Sequence, residues 1–178
     1  TVIAYYQRWM KRYPDIATLS TATDDEVNKA WVGLGYYRRA RLLRNGAKYV
    51  MDNHEGRVPG TVEQLLKIPG IGPYTAGAIA SIAFARRRPV VDGNVIRVLS
   101  RLRVLAGNAK SVKLKNKCWN VAEKLIETKN ETSFLRPGDF NQALMELGAT
   151  VCSPKSPKCD ICPVRDHCLA YEEVHHQN

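Results

Sequence analysis

The sequence predicts an all-α fold, and two observations lead to that prediction. Apolar residues recur at the i, i+3, i+4, i+7 spacing of an amphipathic helix in several segments, most clearly at Val95, Val98, Leu99 and Leu102. No segment of the 178 residues shows a convincing alternation of apolar and polar residues, as a half-buried strand would. With 44% apolar residues, the chain can bury a core large enough for one compact domain or two small ones.

The chain opens with two predicted helices. Residues 2–13 have helical periodicity, with one face formed by Ile3, Tyr6 and Met10. Thr23 and Glu26 have the spacing of a capping box, in which each side chain bonds the other residue's backbone N–H. The helix that follows Thr23 is predicted to bury three residues, Val27, Ala30 and Trp31.

Further helices follow along the chain. The glycines of Gly33-Leu34-Gly35 end the second helix, and another is predicted from Tyr36 to about Asn53. Thr61 and Gln64 repeat the capping-box spacing before the next one. Beyond residue 110, two more apolar stripes predict buried helix faces. They consist of Leu114, Cys118, Val121, Ala122 and Leu125, and of Phe140, Ala143, Leu144 and Leu147.

The segment Leu65–Ala78 is predicted to form a short helix, a tight turn and a second helix. Gly70 and Gly72 permit positive φ and lack Cβ, so backbone N–H groups of the turn can face outward. Pro73 suits the first turn of the second helix, where no N–H donor is needed. Outward amides at a helix N-terminus suit a phosphate group. Taken alone, a Gly-x-Gly between helices is more often ordinary turn chemistry.

The charge of the chain favours a polyanionic partner. The formal net charge is +10 and the pI is near 9.5. A basic protein with scattered lysines would explain this equally well, but the arginines cluster at 38, 39, 41 and 44, at 86–88, and at 97, 101 and 103. Clustering favours nucleic acid, and no apolar run approaches the length of a membrane span.

Four of the five cysteines lie within 17 residues and suggest a metal site. They are Cys152, Cys159, Cys162 and Cys168, among prolines that oppose a helix. Disulfides are disfavoured because nothing marks the chain as secreted. Tetrathiolate zinc usually uses two Cys-x-x-Cys pairs, and only one is present, so a [4Fe–4S] cluster is favoured over zinc. Cys118 lies on an apolar helix face and is predicted to be a core residue.

Three features together resemble a known family. They are the helix–hairpin–helix with Gly70 and Gly72, the Val91-Asp92-Gly93-Asn94 sequence, and the terminal Cys-x6-Cys-x2-Cys-x5-Cys. The chain resembles the helix–hairpin–helix–Gly/Pro–Asp superfamily of DNA glycosylases and, within it, adenine DNA glycosylases of the MutY type. The resemblance includes Gly33-Leu34-Gly35-Tyr36-Tyr37 and Pro137-Gly138-Asp139-Phe140-Asn141-Gln142. It implies a helical barrel subdomain at residues 1–89 and a helical cluster subdomain at residues 90–178.

The resemblance makes Asp92 the catalytic carboxylate, which would stabilise positive charge on the sugar as the glycosidic bond breaks. Asp is also a common helix N-cap, and that role can coexist with catalysis. Asn94 would orient the site. Tyr74 stands where related endonuclease III-type enzymes carry a lysine nucleophile, which implies a monofunctional glycosylase.

The resemblance also implies the contacts with DNA. The helix–hairpin–helix would bind the backbone through Ile68, Gly70, Gly72, Tyr74 and Thr75. Tyr36 would insert beside the base opposite the target adenine while the adenine is flipped out. A packing aromatic is the alternative for Tyr36. The arginine clusters would contact phosphates, although a solvated surface is the default for any single arginine.

By resemblance, the substrate is double-stranded DNA with adenine opposite 8-oxoguanine or guanine, bound by a monomer in the nucleus and also the mitochondrion. The family's general-acid glutamate and the domain that recognises 8-oxoguanine are expected outside residues 1–178. We therefore expect the chain alone to lack excision activity. The alternatives are an endonuclease III-like pyrimidine glycosylase, which Tyr74 disfavours, and a non-catalytic DNA-binding module, which Asp92 disfavours.

Overall fold

The computed structural model describes residues 2–127 and 136–175. Within these residues the regular elements are helical and no strand is present, so the predicted all-α fold is confirmed. The chain forms two compact units, of which the first ends at Ala76 and the second begins at Gly77. The sequence instead places a subdomain boundary after residue 89, so the two divisions assign the segment 77–89 differently. No helix in the described ranges is long and apolar enough to cross a membrane.

The first unit is built around a long helix. Its helices are α1 (Val2–Arg12), α2 (Ile16–Thr21), α3 (Asp24–Ala30), α4 (Arg38–His54), α5 (Val62–Leu65) and the start of α6 (Pro73–Ala78). The buried core consists of Tyr13, Leu19, Ala22, Val27, Ala40 and Ala47. Helix α4 supplies two of these residues, and the small alanine side chains let the shorter helices pack close to it.

Side-chain caps set the starts of the short helices. The predicted capping box is present: Thr23 Oγ1 accepts from the Glu26 N–H at 3.2 Å, and Glu26 Oε2 accepts from the Thr23 N–H at 2.8 Å. These bonds to the carboxylate lower the pKa of Glu26. Helix α2, which periodicity does not reveal in six residues, is capped by Asp15, whose carboxylate accepts from the Thr18 N–H at 2.7 Å.

Helix α1 forms as predicted but makes its contacts through a different residue. Ile3 and Tyr6 are 73% and 63% exposed, and no described residue of α1 is fully buried. The residue of α1 that packs on the buried core is Trp9, whose ring centroid lies 4.9 Å from that of Tyr13 and 5.2 Å from that of Trp31. The apolar face predicted for α1 is therefore exposed in the described unit.

The second unit packs three longer helices around an apolar cluster. Helix α6 continues as a π-helical segment, Ile79–Ala83. The longer helices follow: α7 (Gly93–Leu102), α8 (Val112–Glu127) and α9 (Pro137–Glu146). The unit ends with the π-helical segment Leu147–Val151, two 3₁₀ turns (Cys159–Ile161 and Arg165–His167) and α10 (Leu169–His175). The buried cluster consists of Val91, Val95, Ile96, Leu99, Leu114, Cys118 and Ala122. Cys118 is fully buried as predicted, and burial raises the pKa of its thiol.

Two predicted apolar stripes are shifted in the structure. On α8, Ile126 is buried whereas Leu125 is 37% exposed. On α9, Ala143 is exposed and the buried positions are Gly138 and Asn141. The close approach of Gly138 explains the second shift, because a Cβ there would lie 2.8 Å from the Cα of Ile82. Backbone-to-backbone packing at Gly138 orients α9 in a way that apolar periodicity does not encode.

The C-terminus of α4 generates a prediction about stability. Glu55 is exposed, and its φ of 53° is left-handed, a conformation that costs a non-glycine residue roughly 1 kcal/mol. We expect Glu55→Gly to raise the free energy of unfolding by about 0.5–1 kcal/mol in urea titrations. Lys48→Gly, at an exposed position inside the same helix, should lower it by about 1 kcal/mol. If Glu55→Gly lowered the free energy of unfolding as much as Lys48→Gly does, glycine would not relieve backbone strain at position 55.

Candidate functional site

The turn between α5 and α6 is held against α4. Gly70 has φ 87°, and a Cβ there would lie 2.8 Å from the Cβ of Leu42. Gly46 lets α4 approach the carbonyl oxygen of Pro69, since its own Cβ would lie 3.2 Å from that atom. Gly70 is therefore required both for its dihedral angle and for its packing, and the turn has little freedom to move relative to α4.

The predicted DNA-binding residues of this turn differ in how they face solvent. The side chain of Ile68 is 4% exposed, so only its backbone is available to a ligand. Gly72 has open space where a Cβ would stand, and Tyr74 is 43% exposed. Thr75 is half-buried in the first turns of α6. These residues form a surface of backbone groups and polar side chains with an apolar anchor beneath it.

Asp92 is the N-cap of α7, and both of its carboxylate oxygens have partners. Oδ1 accepts from the Val95 N–H at 2.8 Å, and Oδ2 accepts from Asn94 Nδ2 at 3.0 Å. The capping role anticipated from sequence is thus present. Two donors from the first turn of one helix give the carboxylate a defined orientation.

Arg97 holds the amide of Asn94 in place. One guanidinium nitrogen donates to Asn94 Oδ1 at 2.8 Å and to the Gly148 carbonyl at 2.6 Å, and Nε donates to the Cys152 carbonyl at 2.7 Å. Because Asn94 Oδ1 accepts from an arginine, its Nδ2 is left to donate to Asp92. A continuous set of hydrogen bonds therefore joins the backbone of Cys152 to the carboxylate of Asp92.

Gly148 makes this arrangement possible. A Cβ at Gly148 would lie 2.7 Å from the Cβ of Asn94 and 2.9 Å from its carbonyl oxygen, and both atoms belong to rigid parts of the structure. The π-helical segment Leu147–Val151 therefore lies directly against the first turn of α7. Arg97 reaches the carbonyls of this segment because no side chain separates the two elements.

The four clustered cysteines line one cavity. Cys152, Cys159, Cys162 and Cys168 surround a space of about 280 Å³ together with Arg101 and Tyr171, and all four thiols are free. In the described part of the chain, no three Cys, His, Asp or Glu side chains are grouped closely enough to hold a single metal ion. A zinc ion would draw its sulfurs to ~2.3 Å, whereas a cubane cluster fills a central volume between them. The cavity therefore has the four sulfur ligands and the central space that a cubane cluster requires.

The cysteines around the cavity affect one another electrostatically. Burial, and then the proximity of Cys152, Cys162 and Cys168, raises the pKa of the Cys159 thiol. The Cys159 thiol therefore favours its protonated form unless a positive charge lies beside it. Arg101 donates to Cys152 Sγ at 3.3 Å, which places a positive charge at the edge of the cavity.

The loop before α4 presents Tyr36 to solvent. Tyr36 is 78% exposed and has a left-handed φ of 50°, and Gly33 and Gly35 have φ 91° and 68°. Trp31 anchors this loop, donating from Nε1 to the Gly35 carbonyl at 2.9 Å. The packing alternative for Tyr36 is wrong for the described unit, since the ring protrudes from it.

Several arginines expected to contact phosphate are engaged within their own units. Arg44 donates to the Ala22 carbonyl at 2.9 Å and pairs with Asp24 at 3.1 Å. Arg97 and Arg101 donate to carbonyls of residues 148–154. In the described structure these three guanidinium groups donate to carbonyls of their own units, and their contact with phosphate stays a prediction.

Sequence reasoning assigned no role to Asn141, which positions the segment leading to Asp92. Asn141 is 1% exposed; its Oδ1 accepts from the Val90 N–H at 3.2 Å, and its Nδ2 donates to Ser81 Oγ at 2.8 Å and to the Arg88 carbonyl at 2.9 Å. Arg97 and Gly148 were likewise not recognised as site residues. The sequence signal for Asn141 was its place in the segment 137–142 that carries the resemblance, and that signal does not identify its hydrogen-bond partners.

Comparison with known proteins identifies the family. Residues 1–124 match the HhH-GPD superfamily of base excision DNA repair proteins, and residues 152–168 match the iron–sulfur binding domain of endonuclease III. Adenine DNA glycosylase of Mus musculus is 50% identical over 98% of this chain and 33% of its own length, and that of Homo sapiens is 48% identical over 98% and 31%. The chain thus spans about a third of the length of these relatives.

Solved structures agree on the fold. A thermostable thymine-DNA glycosylase is 28% identical with a TM-score of 0.81, covering 96% of this chain and 76% of its own. Endonuclease III in a non-covalent DNA complex is 22% identical with a TM-score of 0.72, covering 97% and 77%, and shows the fold alone.

The fold, the glycine turn and the cysteine-lined cavity define a DNA-repair protein with an iron–sulfur domain. The chain belongs to the HhH-GPD superfamily of base excision DNA repair proteins. Its cofactor is a [4Fe–4S] cluster, for which the four cysteines around the cavity supply the right number and kind of ligands.

The ligand assignment predicts how cysteine substitutions affect iron. We expect anaerobically purified chain to be brown, with broad absorbance near ~400 nm and about four irons per chain. Cys162→Ala should lose most of this iron because one of four ligands is removed. Cys118→Ala, which removes a buried thiol elsewhere, should retain it. Full iron in Cys162→Ala, or one zinc in the unsubstituted chain, would contradict the assignment.

Proposed function

We propose that the protein containing this chain hydrolyses the N-glycosidic bond of adenine placed opposite 8-oxoguanine or guanine in double-stranded DNA. The observation that carries the proposal is the carboxylate of Asp92, held by the Val95 N–H and by Asn94. The choice of adenine is supported by relatives that carry the name adenine DNA glycosylase and match along nearly the whole chain.

Hydrolysis of the N-glycosidic bond is favoured by a fixed negative charge beside the sugar. As the bond between the base and C1′ breaks, positive charge develops on C1′ and the ring oxygen, and an oriented carboxylate stabilises it. Asn94 and Arg97 would act as positioning groups, because their hydrogen bonds restrict rotation of the Asp92 side chain. Preorganisation matters here because the carboxylate need not reorient while the charge develops.

The residue at position 74 favours hydrolysis without strand cleavage. Tyr74 offers no amine that could attack C1′ and form a Schiff base, so water is the acceptor of the sugar. An endonuclease III-like pyrimidine glycosylase is the enzymatic alternative, and Tyr74 speaks against it. The cluster supplies structural support for the cysteine loop, and no step of the proposed hydrolysis requires electron transfer.

DNA binding would use the turn between α5 and α6. The exposed backbone around Gly70 and Gly72 suits a phosphate, and Tyr36 suits insertion beside the base opposite the adenine. We propose a monomer that acts on nuclear, and also mitochondrial, DNA. A non-catalytic docking module is the second candidate, since the open turn at Gly72 and the exposed Tyr36 ring could bind DNA without any chemistry at Asp92.

The open space at Gly72 provides a test of the turn. A Cβ at Gly72 would have no atom within 4 Å apart from its chain neighbours, so Gly72→Val should leave folding largely unaffected. We expect duplex affinity to fall by about tenfold, since blocking a phosphate removes hydrogen bonds to a charged group worth roughly 1.5 kcal/mol. Affinity is measured by fluorescence anisotropy at several salt concentrations, with the melting temperature as control. Unchanged affinity would make the turn purely structural.

A second test removes the charge of Asp92. In a chimaera that joins the upstream segment of the mouse relative to residue 1, adenine release from an adenine·8-oxoguanine duplex should be measurable. Asp92→Asn keeps the cap to the Val95 N–H but removes the charge, so single-turnover excision should fall on the order of 100-fold or more. Duplex affinity should stay within a few fold.

Two outcomes would contradict these assignments. Full activity of Asp92→Asn would leave Asp92 with the capping role alone. Efficient borohydride trapping of the unsubstituted chimaera on DNA would contradict monofunctional hydrolysis, because trapping requires a Schiff base. Tyr74→Lys serves as the positive control for trapping, since it supplies an amine at that position.

A further inference from the structure

Tyr36 protrudes from the first unit with little packing to restrain it. At 78% exposure it is the most exposed aromatic ring among the described residues. Its backbone is restrained, because its left-handed φ of 50° follows two positive-φ glycines and because Trp31 anchors Gly35. The backbone anchoring does not by itself fix the rotamer of the ring. Ordering a mobile side chain on binding costs conformational entropy. A ring that is already restrained before it enters a base stack would therefore bind with a smaller entropic cost.

Arg39 supplies a contact with the ring itself. Its guanidinium carbon lies 5.1 Å from the centroid of the Tyr36 ring, within the range of a cation–π interaction. Its backbone N–H also donates to the Tyr36 carbonyl at 2.8 Å. Arg39 therefore contacts Tyr36 through both backbone and side chain from the first turn of α4.

The neighbouring arginines have no comparable position. Arg38 and Arg41 are exposed on the same helix and carry the same charge. Among the described residues, neither guanidinium lies over an aromatic ring, whereas those of Arg8, Arg12, Arg39 and Arg165 do. The contact with Tyr36 is thus a property of position 39 and not of the arginine cluster as a whole.

We propose that Arg39 is a positioning residue that holds the Tyr36 ring ready to insert beside the base opposite the target. The guanidinium covers one face of the ring and leaves the other face for stacking on a base. This inference rests on the proposed function, in which Tyr36 enters the duplex. At an exposed site such a contact favours the held rotamer by about two- to fivefold, so loss of Arg39 should weaken insertion without abolishing binding.

The test measures unstacking of a base next to the site. A duplex carries an adenine·8-oxoguanine pair, with 2-aminopurine beside the 8-oxoguanine, and the cluster-loaded chain is added to saturation at low salt. Insertion of Tyr36 should unstack the 2-aminopurine and raise its fluorescence. Tyr36→Ala should abolish the rise, and Arg39→Gln should reduce its amplitude by about two- to fivefold. Arg39→Lys, which keeps a cation, should retain an intermediate amplitude.

Arg41→Gln is the matched control for charge. This variant should bind DNA more weakly and with a smaller salt dependence. The fluorescence rise at saturation should keep its full amplitude, because Arg41 does not contact Tyr36. Iron content and melting temperature should be the same in every variant.

Each remaining outcome counts against a stated claim. A full amplitude for Arg39→Gln, with none for Tyr36→Ala, would overturn the positioning role while leaving insertion by Tyr36 intact. Equal losses for Arg39→Gln and Arg41→Gln would reduce Arg39 to one charge among several. No rise with the unsubstituted chain would refute insertion by Tyr36, and the role of Arg39 with it.

Discussion

The hydrogen bonds from two arginines of α7 to the backbone of residues 148–154 are the interaction on which the second unit depends. Arg97 donates to the carbonyls of Gly148 and Cys152, and Arg101 donates to those of Ser153 and Pro154. These carbonyls lie where a π-helical segment ends and the cysteine loop begins, so few have regular backbone partners. Without the guanidinium groups, the loop would leave acceptors unsatisfied, at about 1–3 kcal/mol each where they are buried.

This constraint links two sites that differ in chemistry. Helix α7 carries Asp92 at its N-terminus, and Arg97 and Arg101 follow one and two turns later. The same rigid helix therefore orients the carboxylate proposed to act on the sugar and supports the first cysteine of the cluster loop. Arg97 contacts both Asn94 and the backbone of Cys152. Displacement of either contact would therefore alter the hydrogen bonds of the other site.

The first unit uses a different device, in which glycines permit close backbone approach. Gly70 lies against Leu42, and Gly46 lies against the segment Ile68–Pro69, so α4 supports the turn directly. Gly33 stands where any Cβ would collide with the hydroxyl of Tyr5. The glycine-dependent backbone at Gly70 and Gly33 thus lies in the two segments proposed to contact DNA.

The sequence by itself determined the helical class, the capping box at Thr23, the core role of Cys118, and the cysteine spacing that indicates a cluster. These features depend on neighbours in sequence or on periodicity, which local physical chemistry decides. Only the tertiary structure decided that Asn141 is buried, that Arg97 and Arg101 face inward, and that Trp9 replaces the predicted face of α1. Such outcomes depend on partners 50 or more residues away for Asn141 and the arginines, and no local pattern specifies which distant carbonyl will need a donor.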